Sequence, residues 1–160
     1  MLFRSITAYS RGTDPATSLG PYWEQPGRSI VDNHLLDIPS ANSIVPGAFH
    51  SEERVYFSGD HHPNLPSPRP VILRKKTTWE GFEGYLRSYS SLHTFHEKHP
   101  EDKAREDGDI ASRFMATLKE KMEEADLKAS NPHAENHEAQ RNDGEVEIEW
   151  PLAVIMVKRS

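Results

Sequence analysis

Hydrophobic positions along this chain fall into separate groups, and each group has its own period. Trp79, Phe82, Leu86, Tyr89, His93 and His96 recur at steps of three and four, the spacing that gives a helix one buried face. Thr77 ahead of them and Glu80 three residues later match a capping box, in which hydroxyl and carboxylate answer each other's backbone N–H groups. Pro100 closes the element. A second helix is predicted from Asp109 to about Lys128, with Ile110, Phe114, Leu118 and Met122 on one stripe and Lys119, Glu120, Lys121, Glu123 and Glu124 facing water. Ile30, Val31, His34 and Leu35 predict a shorter helix over Arg28–Asp37.

Strand patterns are fewer. Val71, Ile72 and Leu73 form a short apolar run ahead of the basic stretch Arg74-Lys75-Lys76, and Glu53–Phe57 predicts another strand. Val146, Ile148 and Trp150 alternate strictly with Glu145, Glu147 and Glu149, the mark of a half-exposed strand. The turn sequence Asn142-Asp143-Gly144 launches it. After Pro151 the run Leu152–Val157 is apolar on both faces, as in a strand buried between layers. Such a strand needs more neighbours than this chain supplies.

Between these elements the chain is polar. Residues 1–28 carry no period but hold the turn and aromatic cluster Gly20–Arg28; Ala41–Pro70 and Ser130–Asn142 read as loops. The expected organisation is an irregular, lid-like segment over residues 1–70 with a short helix. A strand-helix-helix-strand part follows over residues 71–160. Gly81 and Gly84 weaken the first turns of their helix by about 1 kcal/mol each relative to alanine, which predicts close packing there.

Composition narrows the class. Hydrophobic residues make up 35% of 160, and adding the 9 glycines still leaves the share below the usual roughly 45–50%. With 12 prolines, the chain reads as a modest core with long connections. The net charge of −6 opposes non-specific nucleic-acid binding, which needs a basic face. There is no cysteine, so disulfides and thiolate chemistry are excluded. The longest apolar run has six residues, far short of a membrane span. A cytoplasmic protein without nucleic-acid or membrane partners is expected. A weaker mitochondrial alternative rests on Arg4, Arg11 and the lack of acids before Asp14.

Three segments, GPYWEQPGR (Gly20–Arg28), TTWEGFEGYLRSYSS (Thr77–Ser91) and EIEWPLAVIMVKR (Glu147–Arg159), resemble fungal S-adenosylmethionine-dependent methyltransferases of the trans-aconitate methyltransferase type. The likeness covers the chain from about Leu19 onward, and the Trp-x-x-Phe-x-x-Tyr-Leu-Arg-Ser-Tyr-Ser piece is its most specific part. The resemblance implies an α/β fold, the C-terminal portion of a Rossmann-like class I methyltransferase. Its antiparallel strand pair, Val71–Lys75 with Val146–Val157, would be flanked by helices. It also implies a substrate-side part of an O-methyltransferase acting on a small carboxylate or hydroxyl acceptor. The family's cofactor half carries a glycine-rich loop, and no G-x-G occurs here. S-adenosylmethionine is thus the intact family's cofactor, with none expected on this chain alone. The expected partners are a small-molecule acid, a cofactor-binding half, or a second copy of the chain. The alternative from another class is a non-catalytic interaction protein derived from a methyltransferase.

By this resemblance Arg87 is the first candidate substrate-binding residue, since a guanidinium holds a carboxylate through two parallel hydrogen bonds. The competing reading is an i,i+4 pair with Glu83. Tyr22, Trp23 and Arg28 would line the lid, and Tyr85 the pocket; packing roles compete for each. No catalytic, cofactor-binding or metal-ligating residue is assigned. His93, His96 and His99 stand three apart, with His61-His62 and His133/His137 elsewhere, but no H-E-x-x-H arrangement accompanies them.

Overall fold

The computed structural model describes residues 2–129 and 144–160. Helices α1 (Leu2–Arg11), α2 (Gly27–Asp32), α3 (Ala41–Ile44), α4 (Trp79–Arg87), α5 (Ser90–Lys98) and α6 (Ile110–Ala129) join strands β1 (Phe49–Phe57), β2 (Leu73–Thr78), β3 (Glu145–Trp150) and β4 (Leu152–Arg159). The result is a mixed α/β chain with, among the described residues, two two-stranded sheets, β1–β4 and β2–β3. It forms two compact units: Met1–Trp23 with Thr77–Val146, and Glu24–Lys76 with Glu147–Ser160. Both units are discontinuous in sequence.

The first unit is helical. The predicted long helix after Thr77 is two helices, because Tyr89 leaves the helical region with ψ of 126° and α5 restarts at Ser90. The cap is Thr78 in place of Thr77: its hydroxyl accepts the Gly81 N–H at 3.1 Å. The buried face accordingly shifts. Phe82, Leu86, Leu92, Phe95 and His96 are buried, whereas His93 is exposed and pairs with Glu97 at 3.2 Å. The second predicted helix agrees with α6, with Ile110, Ala111, Met115 and Leu118 inward. Phe114 lies at the margin, stacked on Tyr9 with ring centroids 4.2 Å apart. Gly12 and Gly20 bring the end of α1 against the following loop, since a Cβ on Gly20 would stand 2.0 Å from the Gly12 carbonyl.

The second unit is built on antiparallel β1–β4, with Val55 opposite Val154 and Phe57 opposite Leu152. A bulge between His50 and Glu53 interrupts the ladder, and Ser51 takes a left-handed φ of 55° within it. Leu152–Ile155 of β4 are half-buried and Met156 and Val157 exposed, which corrects the expectation of a strand covered on both faces. The physical reason is that among the described residues β4 has one strand neighbour and the unit's helices, α2 and α3, are short. The predicted helix over Arg28–Asp37 stops at Asp32 because His34 and Leu35 turn left-handed at φ of 55° and 61°. Arg54 of β1 then donates to the carbonyls of Leu35 and Ile38 at 3.2 and 2.6 Å, tying that turn to the sheet. The Asn142-Asp143 turn and the Ser130–Asn142 loop lie outside the described residues, apart from Gly144.

Candidate functional site

The densest chemistry in the helical unit begins at the start of α6. Asp109 caps that helix by accepting the Ser112 N–H at 2.9 Å, as a short acidic side chain does for an orphan helix donor. Its two oxygens also accept from the Arg87 guanidinium at 2.7 and 3.1 Å. Arg87, in the last turn of α4, donates further to Glu83 at 2.9 Å and to the Ser112 hydroxyl at 2.8 Å. Burial by itself would raise the Asp109 pKa. The hydrogen bonds from Arg87 and from the Ser112 amide and hydroxyl, with the Arg87 charge, overcome it and hold the carboxyl well below the usual carboxylate range. The same bonds, first those to Asp109, push Arg87 further above its ordinary value.

Behind this pair lies a second carboxylate. Asp102 is buried, accepts the Ile110 N–H at 2.7 Å and the Arg113 guanidinium at 2.8 Å. His96, from α5, sets its Nε2 3.6 Å from both Asp102 and Asp109, too far for a hydrogen bond. The Tyr9 hydroxyl is buried without a hydrogen-bond partner. Burial raises its pKa well above the ordinary value; the Asp109 and Asp102 charges add to this, and the Arg87 charge opposes them. The Arg87–Asp109 pair therefore ties α4 to the start of α6, and the Asp102–Arg113 pair ties the loop ahead of α6 to that helix.

An aromatic wall stands on the same unit. Trp23 donates its indole N–H to the Ser10 carbonyl at 2.7 Å and packs on Tyr89 with centroids 5.2 Å apart. Tyr89 meets Tyr85 edge-on at 5.2 Å, and Tyr85 stacks on Phe82 at 6.5 Å. Tyr22 is buried, bonds to the Pro15 carbonyl at 2.9 Å and to His99 Nε2 at 2.8 Å, and carries Lys98 over its ring at 5.5 Å. Lys98 is exposed.

In the sheet unit, Glu149 of β3 holds His61 Nε2 at 2.7 Å and Arg74 at 3.2 Å. These three line a cavity of about 470 Å³ together with Asp60, Arg69 and Val71. The alternating EVEIEW pattern marks Glu149 as solvent-facing and gives no sign of this pairing.

The structure brings four of the five candidate substrate residues, Arg87, Tyr22, Trp23 and Tyr85, into the helical unit. Arg28 lies in the sheet unit, paired with Asp32 at 2.9 Å. Arg87 forms the pair with Glu83 that its i,i+4 spacing offered, and its carboxylate-binding fork holds the chain's own Asp109. Asp109 was missed as the partner of Arg87 because the sequence places it 22 residues away, and Asp102 as the partner of Arg113 because it lies in the loop ahead of α6, with no periodic signal linking either pair. Among the described residues no three His, Asp or Glu side chains are grouped to hold a metal ion; His133 and His137 lie outside the described residues.

A nucleoside cofactor needs backbone N–H groups presented by glycines at a strand-to-helix turn. Gly12 and Gly20 approach each other, Gly81 closes on Thr77, Gly59 on Val71 and Gly108 on Ser112, and Gly27, Gly47, Gly84 and Gly144 face open space. No helix among them is long and apolar enough to cross a membrane. In comparisons with known proteins, no family model matches the chain.

Proposed function

We propose that this chain is the substrate-side, C-terminal part of a Rossmann-like, S-adenosylmethionine-dependent O-methyltransferase whose cofactor-binding half lies outside this sequence. The observation that carries the reading is the convergence of two segments far apart in sequence. Trp23 from the lid-like segment packs on Tyr89 and, through it, Tyr85 of the aromatic helices, so the pieces that bear the methyltransferase likeness build one wall. β2, the penultimate strand of the resemblance, pairs with β3, the first part of the expected last strand, whereas the second part, β4, pairs with β1 instead.

In this reading the acceptor is a small poly-acid. Its carbon skeleton lies on the Trp23–Tyr89–Tyr85 wall and a carboxylate meets Lys98. A carboxylate is ionised at pH 7, so the chain's task is to orient it and exclude water, which places the attacking oxygen without acid–base help. Arg87 acts one step back, holding α4 to α6 under the wall. The test is a nitrogen-correlation titration of the full chain with tricarballylate and with its trimethyl ester. The reading predicts that the Trp23 indole and Tyr89 amide signals move with the acid and that Trp23→Phe removes the response. Equal response to acid and ester, or none, refutes it.

A second reading, a non-catalytic interaction protein, is favoured by β4. Its outer edge faces no strand among the described residues and Met156 and Val157 are exposed, an arrangement that pairs readily with a second copy. Sedimentation equilibrium decides it: a dimer that Val157→Lys dissociates supports this reading, and a monomer across the concentration range excludes it.

A further inference from the structure

A cavity in the helical unit, apart from the aromatic wall, has a lining that specifies a ligand class. Its volume is about 330 Å³, and Ala8, Tyr9, Ala16, Thr17, Ile110, Arg113, Phe114, Thr117, Leu118 and Lys121 surround it. The floor is apolar and closed: Tyr9, Ile110 and Leu118 are buried, and the Tyr9–Phe114 stack, with an interplanar angle of 11°, makes a flat wall. The rim is exposed at Ala8, Ala16, Thr17, Thr117 and Lys121. The charged groups in the lining are Arg113 and Lys121, both cationic; no carboxylate lines it.

Two neighbouring acids are engaged, and Glu120 and Glu124 flank Lys121 along α6. Asp14 accepts the Ala16 N–H at 2.9 Å and the Thr17 hydroxyl at 2.7 Å. Asp102 holds one side of the Arg113 guanidinium. A ligand in this cavity therefore meets apolar walls on its body and the exposed Lys121 ammonium at one end. Pockets of this size take small organic molecules and use a few placed polar groups to orient them.

We infer that this cavity binds a small carboxylate with an apolar body. The ring or short chain lies against Tyr9, Phe114, Ile110 and Leu118, and the carboxylate meets the Lys121 ammonium at the mouth. Arg113 contributes charge while its guanidinium keeps α6 fixed to Asp102. Binding here is independent of the methyltransferase reading, because it uses none of the wall residues.

The experiment is a methyl-region carbon–proton NMR titration of the full chain with phenylacetate and, as neutral control, phenylacetamide. The expected result is saturable movement of the Ile110 and Leu118 methyl signals with phenylacetate and a weaker response to the amide. Lys121→Met weakens phenylacetate about tenfold, the loss of one charge-assisted contact at a partly solvated rim, and leaves the amide unchanged. Thr117→Trp, a rim substitution that leaves the floor intact, abolishes both responses. Lys121 and Thr117 are exposed, so neither change threatens the fold. Equal affinity for acid and amide, indifference to Lys121→Met, or movement confined to the Trp23 and Tyr89 signals overturns the assignment.

Discussion

At the scale of single residues, Arg87 shows how a binding-type side chain becomes a structural one. A guanidinium fork fits any carboxylate, and the carboxylate it meets here is Asp109, with Glu83 and Ser112 taking further donors. Hydrogen bonds to a charged group contribute about 1.5–3 kcal/mol, and solvent at the exposed side of Arg87 reduces that to about 1–2 kcal/mol. Asp109→Asn should therefore lower stability by about 1–2 kcal/mol at pH 7, read from urea midpoints. The pH dependence has a definite sign. Because the folded Asp109 carboxyl is held below its unfolded pKa of about 4, its contribution is present above that pH and is lost as the pH falls through the folded value. The wild-type chain should lose stability below pH 4 more steeply than Asp109→Asn; parallel curves would remove Asp109 from the account. The sequence offered Arg87 and Glu83 as neighbours through helical spacing. It could not offer Asp109, since the loop between α5 and α6 decides which helix start reaches α4.

At the scale of elements, periodicity located α6 and the alternating strand β3 closely, because one face of each is buried and the other is not. It joined α4 and α5 into one helix, since a break at Ser88 and Tyr89 leaves the spacing of apolar residues almost intact. The cap moved by one position between two threonines that differ only in which hydroxyl reaches the Gly81 amide. The glycines of α4 separate in the same way. Gly81 does meet the close contact expected of it, with a Cβ standing 2.3 Å from the Thr77 hydroxyl, whereas Gly84 faces open space. Gly84→Ala should stabilise the chain by about 0.5–1 kcal/mol through helix propensity, while Gly81→Ala gains less or loses, as the Thr77 side chain must move. Thermal unfolding of the two variants compares them directly. A stabilisation of equal size in both would show that the Thr77 contact carries no cost.

At the scale of the whole molecule, the apolar run of β4 was legible as a pattern and misleading about its surroundings. Leu152–Val157 has the composition of a covered strand, yet one sheet neighbour and two short helices leave it half-exposed. Pattern reports what a segment would bury if partners were present; it does not supply them. The aromatic wall, by contrast, is assembled from the chain's own Trp23, Tyr89 and Tyr85. The division into a helical unit and a sheet unit, each made of two stretches, was invisible for a related reason: no linker composition marks Trp23/Glu24, Lys76/Thr77 or Val146/Glu147.

The proposal under test is a substrate side of a methyltransferase-type site on this chain, with the cofactor side lying elsewhere. The most direct measurement is a proton–nitrogen correlation spectrum of the full chain titrated with S-adenosylhomocysteine, the demethylated cofactor. The account predicts dispersed amide signals that stay in place through the titration. Saturable, localised shifts would place a cofactor site on this chain and contradict it.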